Sequence, residues 1–150
     1  MEAFVKHYRE GNIGILEFGN PAGNSLPTPL LKAFKEGLIT LEKDTDARVI
    51  LLKSSGDRAF CGGASLEEMK TLSTLEEATA FFMGIADVIN TLRSVTKFVV
   101  GRVQGKVVGG GVGLVAACDY VLASSHAHIK LSELSIGIGP YVIEPAVSRK

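Results

Sequence analysis

The chain has 150 residues, and its lysines and arginines balance its aspartates and glutamates at 16 each. That length predicts one domain, residues 1–150, able to bury about two thirds of its unfolded surface, and the absence of net charge gives no field to draw nucleic acid or an anionic membrane. Cys61 and Cys118 lack metal-ligand spacing and read as reduced thiols, and no signal-peptide core or membrane-length apolar run is present, so the expected compartment is the cytoplasm.

In chain order, Phe4 to Tyr8 and Ile13 to Phe18 predict a β-hairpin that turns at Glu10-Gly11-Asn12. Thr28 reads as a helix N-cap and Pro29 as the first helical residue, with apolar positions at Leu30, Leu31, Phe34, Leu38 and Leu41. Val49 to Lys53 predicts a strand, then the polar turn Ser54-Ser55-Gly56-Asp57, then the glycine cluster Ala59-Phe60-Cys61-Gly62-Gly63-Ala64. Glu67 and Glu68 behind it read as a solvated helix face. Thr74-Leu75-Glu76-Glu77 is a capping-box pattern. It opens a long helix whose apolar face takes Ala78, Phe81, Phe82, Ile85, Val88, Ile89 and Leu92. Phe98 to Val103 and Tyr120 to Ala123 are, like Val49 to Lys53, short apolar runs, the pattern of strands covered on both faces. His128 to Leu131 predicts a last strand, and Glu144-Pro145-Ala146-Val147 the opening of a helix without a stop signal. The alternation is that of an α/β chain.

The most informative stretch runs from Val103 to Gly113, with glycine at 105, 109, 110, 111 and 113. Glycine allows positive φ and lets a ligand approach the main chain without a Cβ in the way. A helix starting there aims free N–H groups and a positive dipole end at a phosphate, a carboxylate or a transient oxyanion. Together with Ala59 to Ala64, it makes two glycine-lined backbone sites, as expected for two donors converging on one oxygen.

At this point the chain resembles the crotonase family, the enoyl-CoA hydratases and isomerases. The resemblance rests on Ala59-Phe60-Cys61-Gly62-Gly63-Ala64, Gln104-Gly105 through Gly109-Gly110-Gly111, Cys118-Asp119-Tyr120, and Leu131-Ser132-Glu133-Leu134-Ser135-Ile136-Gly137. Asn24-Ser25-Leu26 is similar to the family's short Asn-x-Leu signature. The resemblance implies a crotonase-like spiral of repeated ββα units, an N-terminal core with the family's C-terminal helical part missing. It also implies an acyl-CoA substrate, no further cofactor, and a homo-oligomer (trimer or dimer of trimers).

By motif position the oxyanion donors are the backbone N–H groups of Ala64 and Gly110, and the segment of Gly62, Ala64 and Leu66 lines the adenine pocket. Lys53 and Arg58 are basic candidates for the phosphates. Glu133 falls on one of the family's two catalytic glutamates, with the apolar Leu131, Leu134, Ile136 and Ile138 beside it in sequence. The other glutamate's position, three residues past the oxyanion glycine, is Gly113, which cannot move a proton. One carboxylate suffices to shift a double bond from position 3 to 2, whereas hydration usually shares its proton transfers between two, so the resemblance leans towards isomerase. A lyase, decarboxylase or thioester hydrolase of the same fold, and a non-catalytic scaffold, stand as alternatives.

Other signals carry less. Gly111-Val112-Gly113-Leu114-Val115-Ala116 matches a dinucleotide fingerprint, but a true one opens directly off its strand, and Gln104 to Gly110 intervene here. His126 and His128 lack a third ligand and read as an exposed strand edge, so no metal site is expected. Asp119 reads as a cap. Ser65 stands where relatives commonly have aspartate.

Overall fold

The computed structural model describes residues 2–150. Its chain runs β1 (Phe4–Glu10), β2 (Ile13–Gly19), α1 (Thr28–Lys43), β3 (Val49–Ser54), β4 (Ala59–Cys61), α2 (Leu66–Met69), α3 (Leu75–Ser94), β5 (Phe98–Val103), β6 (Lys106–Val108), α4 (Gly110–Ala117), β7 (Tyr120–Ala123), β8 (Ile129–Lys130), a 3-10 turn (Glu133–Ile136) and α5 (Glu144–Val147). β1 and β2 form the predicted hairpin, and from β2 onward every pairing is parallel. Five strands make one sheet in the order β1-β2-β3-β5-β7, and β4-β6-β8 make a second.

That order describes a spiral. Each turn sends one strand to the larger sheet and the next to the smaller, then crosses back through a helix. β3–β4–α2/α3 and β5–β6–α4 are full turns, and β7–β8 ends in the 3-10 turn. β2–α1 is a further turn whose second strand shrinks to one bridge, Leu26 beside Ala64.

Side chains brace the corners where strand one gives way to strand two. The Asn24 amide donates to Ser55 O (2.8 Å) and Ala59 O (2.7 Å), and the Gln104 amide donates to Ser54 Oγ (2.9 Å) and to the same Ala59 O (3.3 Å). Ser124 Oγ continues the series by donating to Gln104 O at 3.0 Å. Four successive corners are thereby tied into one column. The signatures Asn24-Ser25-Leu26 and Gln104-Gly105 have their physical reason here, in holding the spiral's pitch.

Leu16, Phe18, Ile50, Leu52, Val99 and Val103 project from the larger sheet into the core, where Phe18 meets Phe34 of α1 and Phe60 of β4 at ring separations of 5.5 Å. The helix faces are as their periodicity predicts: Leu30, Leu31, Phe34, Leu38 and Leu41 of α1 are buried, as are Phe81, Ile85, Val88, Ile89 and Leu92 of α3. Thr74 and Glu77 form the capping box at the start of α3.

Four expectations change. Thr28 is inside α1, and Pro27 occupies the N-cap without a side-chain bond. The Glu68 carboxylate does that work from a distance, accepting from Thr28 N–H at 2.7 Å, so Glu68 does not belong to a solvated face. The larger sheet is not covered on both faces, because Phe98, Tyr120 and Leu122 are exposed on one side of β5 and β7. The last strand contracts to Ile129–Lys130, which puts Glu133 in a 3-10 turn. Asp119 does cap, accepting from Val99 N–H at 2.8 Å at the entry to β5.

Candidate functional site

One cavity of about 280 Å³ opens where the second, third and fourth turns of the spiral meet. It gathers all five residues singled out from the sequence: Gly62, Ala64 and Leu66 behind β4, Gly110 at the start of α4, and Glu133 in the 3-10 turn.

Backbone geometry decides what the first two loops present. Gly63 takes φ 87°, and its carbonyl accepts from Leu26 N–H at 2.8 Å. Ser65 N–H returns to Leu26 O at 3.3 Å. In extended backbone, successive amides point to opposite sides, so with both neighbours of Ala64 turned towards Leu26 its own N–H faces the other way. Gly109 takes φ 53° and ψ −125° as the N-cap of α4, which leaves Gly110 N–H as a first-turn amide with no carbonyl behind it. Among the described residues neither Ala64 N–H nor Gly110 N–H donates a hydrogen bond. The loops abut closely: a Cβ on Gly63 would lie 2.9 Å from Val108 O and 3.1 Å from the Gly110 nitrogen, and one on Gly110 would lie 3.6 Å from the Ala64 nitrogen.

Glu133 comes from the opposite side. Its Oε2 is buried and accepts no hydrogen bond among the described residues, and Oε1 lies 3.4 Å from where a Cβ on Gly109 would stand. A buried carboxylate oxygen without a donor is costly. Of the apolar residues beside it in sequence, Ile136 and Ile138 line the cavity with Glu133, whereas Leu134, 78% exposed, and the exposed Leu131 do not. Phe81, Phe82 and Ile85 of α3, with Val142 and Ile143, supply the remaining apolar walls.

These wall residues are the part that sequence reasoning missed. Phe81 and Phe82 were read as a single core face, yet neighbours in a helix point about 100° apart. Phe81 is buried and Phe82 half-buried, yet both line the cavity, the two rings meeting edge to face at 5.3 Å. Two adjacent aromatic residues were the available signal.

Other candidates lie elsewhere. Lys53 is held against Glu17 at 3.2 Å and stands over the Tyr8 ring, so it does not line the cavity. Ser65 caps α2 by accepting from Glu68 N–H at 3.2 Å. His126 and His128 are exposed, and no cluster of metal-ligating side chains occurs among the described residues. Burial pushes the Cys61 and Cys118 thiols up to about 12, far from nucleophilic use. No helix among the described residues is long and apolar enough to cross a membrane.

A parallel ββα spiral with glycine-rich turns around an apolar cavity defines the crotonase class of fold. The family model for enoyl-CoA hydratase/isomerase matches residues 8–150. The chain belongs to this enoyl-CoA hydratase/isomerase family. It is 34% identical over 142 residues to the mitochondrial methylglutaconyl-CoA hydratase of Homo sapiens, covering 93% of this chain and 42% of that protein. It is 30% identical over 133 residues to the short-chain-enoyl-CoA hydratase of Clostridium acetobutylicum, covering 88% and 51%. The crystal structure of a Mycobacterium smegmatis enoyl-CoA hydratase superposes with a TM-score of 0.92 at 29% identity, over 99% of this chain and 58% of that one. The chain therefore spans about half the length of the curated relatives it matches.

Proposed function

We propose that this chain carries the catalytic core of an enoyl-CoA isomerase, in which Ala64 N–H and Gly110 N–H hold the thioester oxygen and Glu133 alone carries the proton. Loss of a proton from C2 of a 3-enoyl thioester moves charge onto the carbonyl oxygen. Two preorganised donors roughly 3 Å from that oxygen contribute several kcal/mol in a water-poor site. The Glu133 carboxylate takes the C2 proton and returns it to C4 of the same dienolate, so the double bond moves from position 3 to 2 and nothing else is consumed. Coenzyme A is part of the substrate, and its adenine end lies along Gly62, Ala64 and Leu66.

One observation carries this reading: two acceptor-free backbone amides and a buried, undonated carboxylate oxygen line the same apolar cavity. Glycine at position 113 favours isomerisation over hydration, because no second carboxylate there can share the handling of water. Turnover of 3-enoyl-CoA, 2-enoyl-CoA and a malonyl-type thioester by the natural protein tests the proposal. The expected outcome is isomerisation well ahead of hydration and no decarboxylation. Efficient hydration with little isomerisation would replace the isomerase reading by a hydratase, and decarboxylation alone by a lyase.

A further inference from the structure

The room that Gly113 gives up is not left open. A Cβ on Gly113 would lie 2.6 Å from Ile143 Cγ2, 2.7 Å from Ile89 Cδ1 and 2.9 Å from Ile143 Cβ, whereas non-bonded carbons rest at about 3.5–4.0 Å. Both isoleucines are buried, at 2% and 4% exposure. Ile89 belongs to α3, but Ile143 comes from the segment between the 3-10 turn and α5. A turn returns the chain there, with the N–H groups of Ile143 and Glu144 donating to Pro140 O at 3.2 and 2.9 Å. Ile143 then serves as the N-cap of α5. Isoleucine is among the poorest N-caps, since it offers no acceptor to the first-turn amides. Capping does not account for it, and filling space does.

Ile143 also lines the cavity that holds Glu133, next to Val142 and Ile85. We infer that Ile143, backed by Ile89, is a specificity-determining wedge that fills the place of a second carboxylate beside Gly113 and keeps that wall dry. The inference rests on the enoyl-thioester reading above. Hydration needs a water whose oxygen bonds to C3 while one of its protons leaves to a base and C2 receives another. With the wedge in place no base and no water occupy that wall, and Glu133 exchanges its proton with the bound acyl chain.

Two measurements on the natural protein separate the wedge from the reading it rests on. Thermal unfolding of Gly113→Ala, Ile143→Ala and the double variant closes a cycle. Gly113→Ala should lower Tm, and Ile143→Ala should relieve the clash, so that the double variant melts above the value given by adding the two losses. The ratio of 2-enoyl-CoA hydration to 3-enoyl-CoA isomerisation is then compared between Gly113→Glu and Gly113→Glu/Ile143→Ala. It should rise about tenfold or more in the double variant, part of the roughly 10²-fold that a placed acid or base supplies. Additive Tm losses would overturn the wedge whatever the activities. Coupled losses with an unchanged ratio would overturn its role in specificity. Absence of both activities from the natural protein would overturn that role together with the enoyl reading, while the packing result would still stand on the unfolding cycle.

Discussion

Gly109 shows how much of this site is made at single residues. Its φ of 53° and ψ of −125° suit glycine and strain other residues, and a Cβ there would come within 3.4 Å of Glu133 Oε1 and Ser132 Oγ. Gly109→Ala should therefore cost about 1–3 kcal/mol of stability and lower turnover as well, because the strain sits next to the Gly110 amide. An unchanged Tm with unchanged turnover would show that the turn relaxes without consequence. Backbone chemistry of this kind is legible in sequence, since it restricts residue size, and the motifs alone point to Ala64, Gly110 and Glu133, which the fold brings to one cavity. Ile143 was not legible. An isoleucine ahead of a short helix looks like any core residue until its contact with Gly113 is seen.

Among the elements, the corners of the spiral carry more weight than their sequence suggests. Asn24 is 5% exposed and holds a left-handed φ of 56° while its side chain donates to Ser55 O and Ala59 O and accepts from Asn20 N–H at 2.9 Å. Asn24→Gly keeps that backbone accessible and removes only the side-chain bonds. It should destabilise by about 1–3 kcal/mol, as expected when buried carbonyls lose donors, and denaturant unfolding would read the loss. A variant as stable as the natural protein would mean that the column of corner bonds does not hold the turns together. The hairpin is legible from its turn at Glu10-Gly11-Asn12, both long helices from their apolar periodicity, and β3, β5 and β7 as short apolar runs. The start of α1 was misplaced for a nonlocal reason: its cap comes from Glu68, which lies 40 residues along the chain. Contraction of the last strand and exposure of one sheet face likewise depend on neighbours in space, and no local pattern encodes them.

For the molecule as a whole, the two buried thiols give a test of integrity. Desolvation raises Cys61 and Cys118 from an ordinary 9.0 to about 12. Near pH 9 the unfolded chain releases these protons while the folded chain keeps them. Their contribution is therefore fully present below pH 9 and is lost as pH rises towards about 12. Denaturant unfolding through this window should show stability falling, with a shallower fall in Cys61→Ala/Cys118→Ala. Parallel slopes in the two proteins would mean that the thiols are wet. The ββα architecture was legible as a class because its motifs recur in order, but the shared cavity became visible only once three turns of the spiral were brought together.

Enolate formation at C2, with Glu133 as the base, is the central claim, and exchange with solvent reads it most directly. A saturated acyl-CoA has a C2 proton but no double bond to move or hydrate. Deuterium incorporation from D₂O into its C2 position would thus report proton abstraction without any later step. The natural protein should catalyse this exchange. Glu133→Gln should bind the thioester with similar affinity and exchange it at least about 10²-fold more slowly, the usual scale for a positioned base. Equal exchange rates in the two proteins would contradict the account and place the base elsewhere.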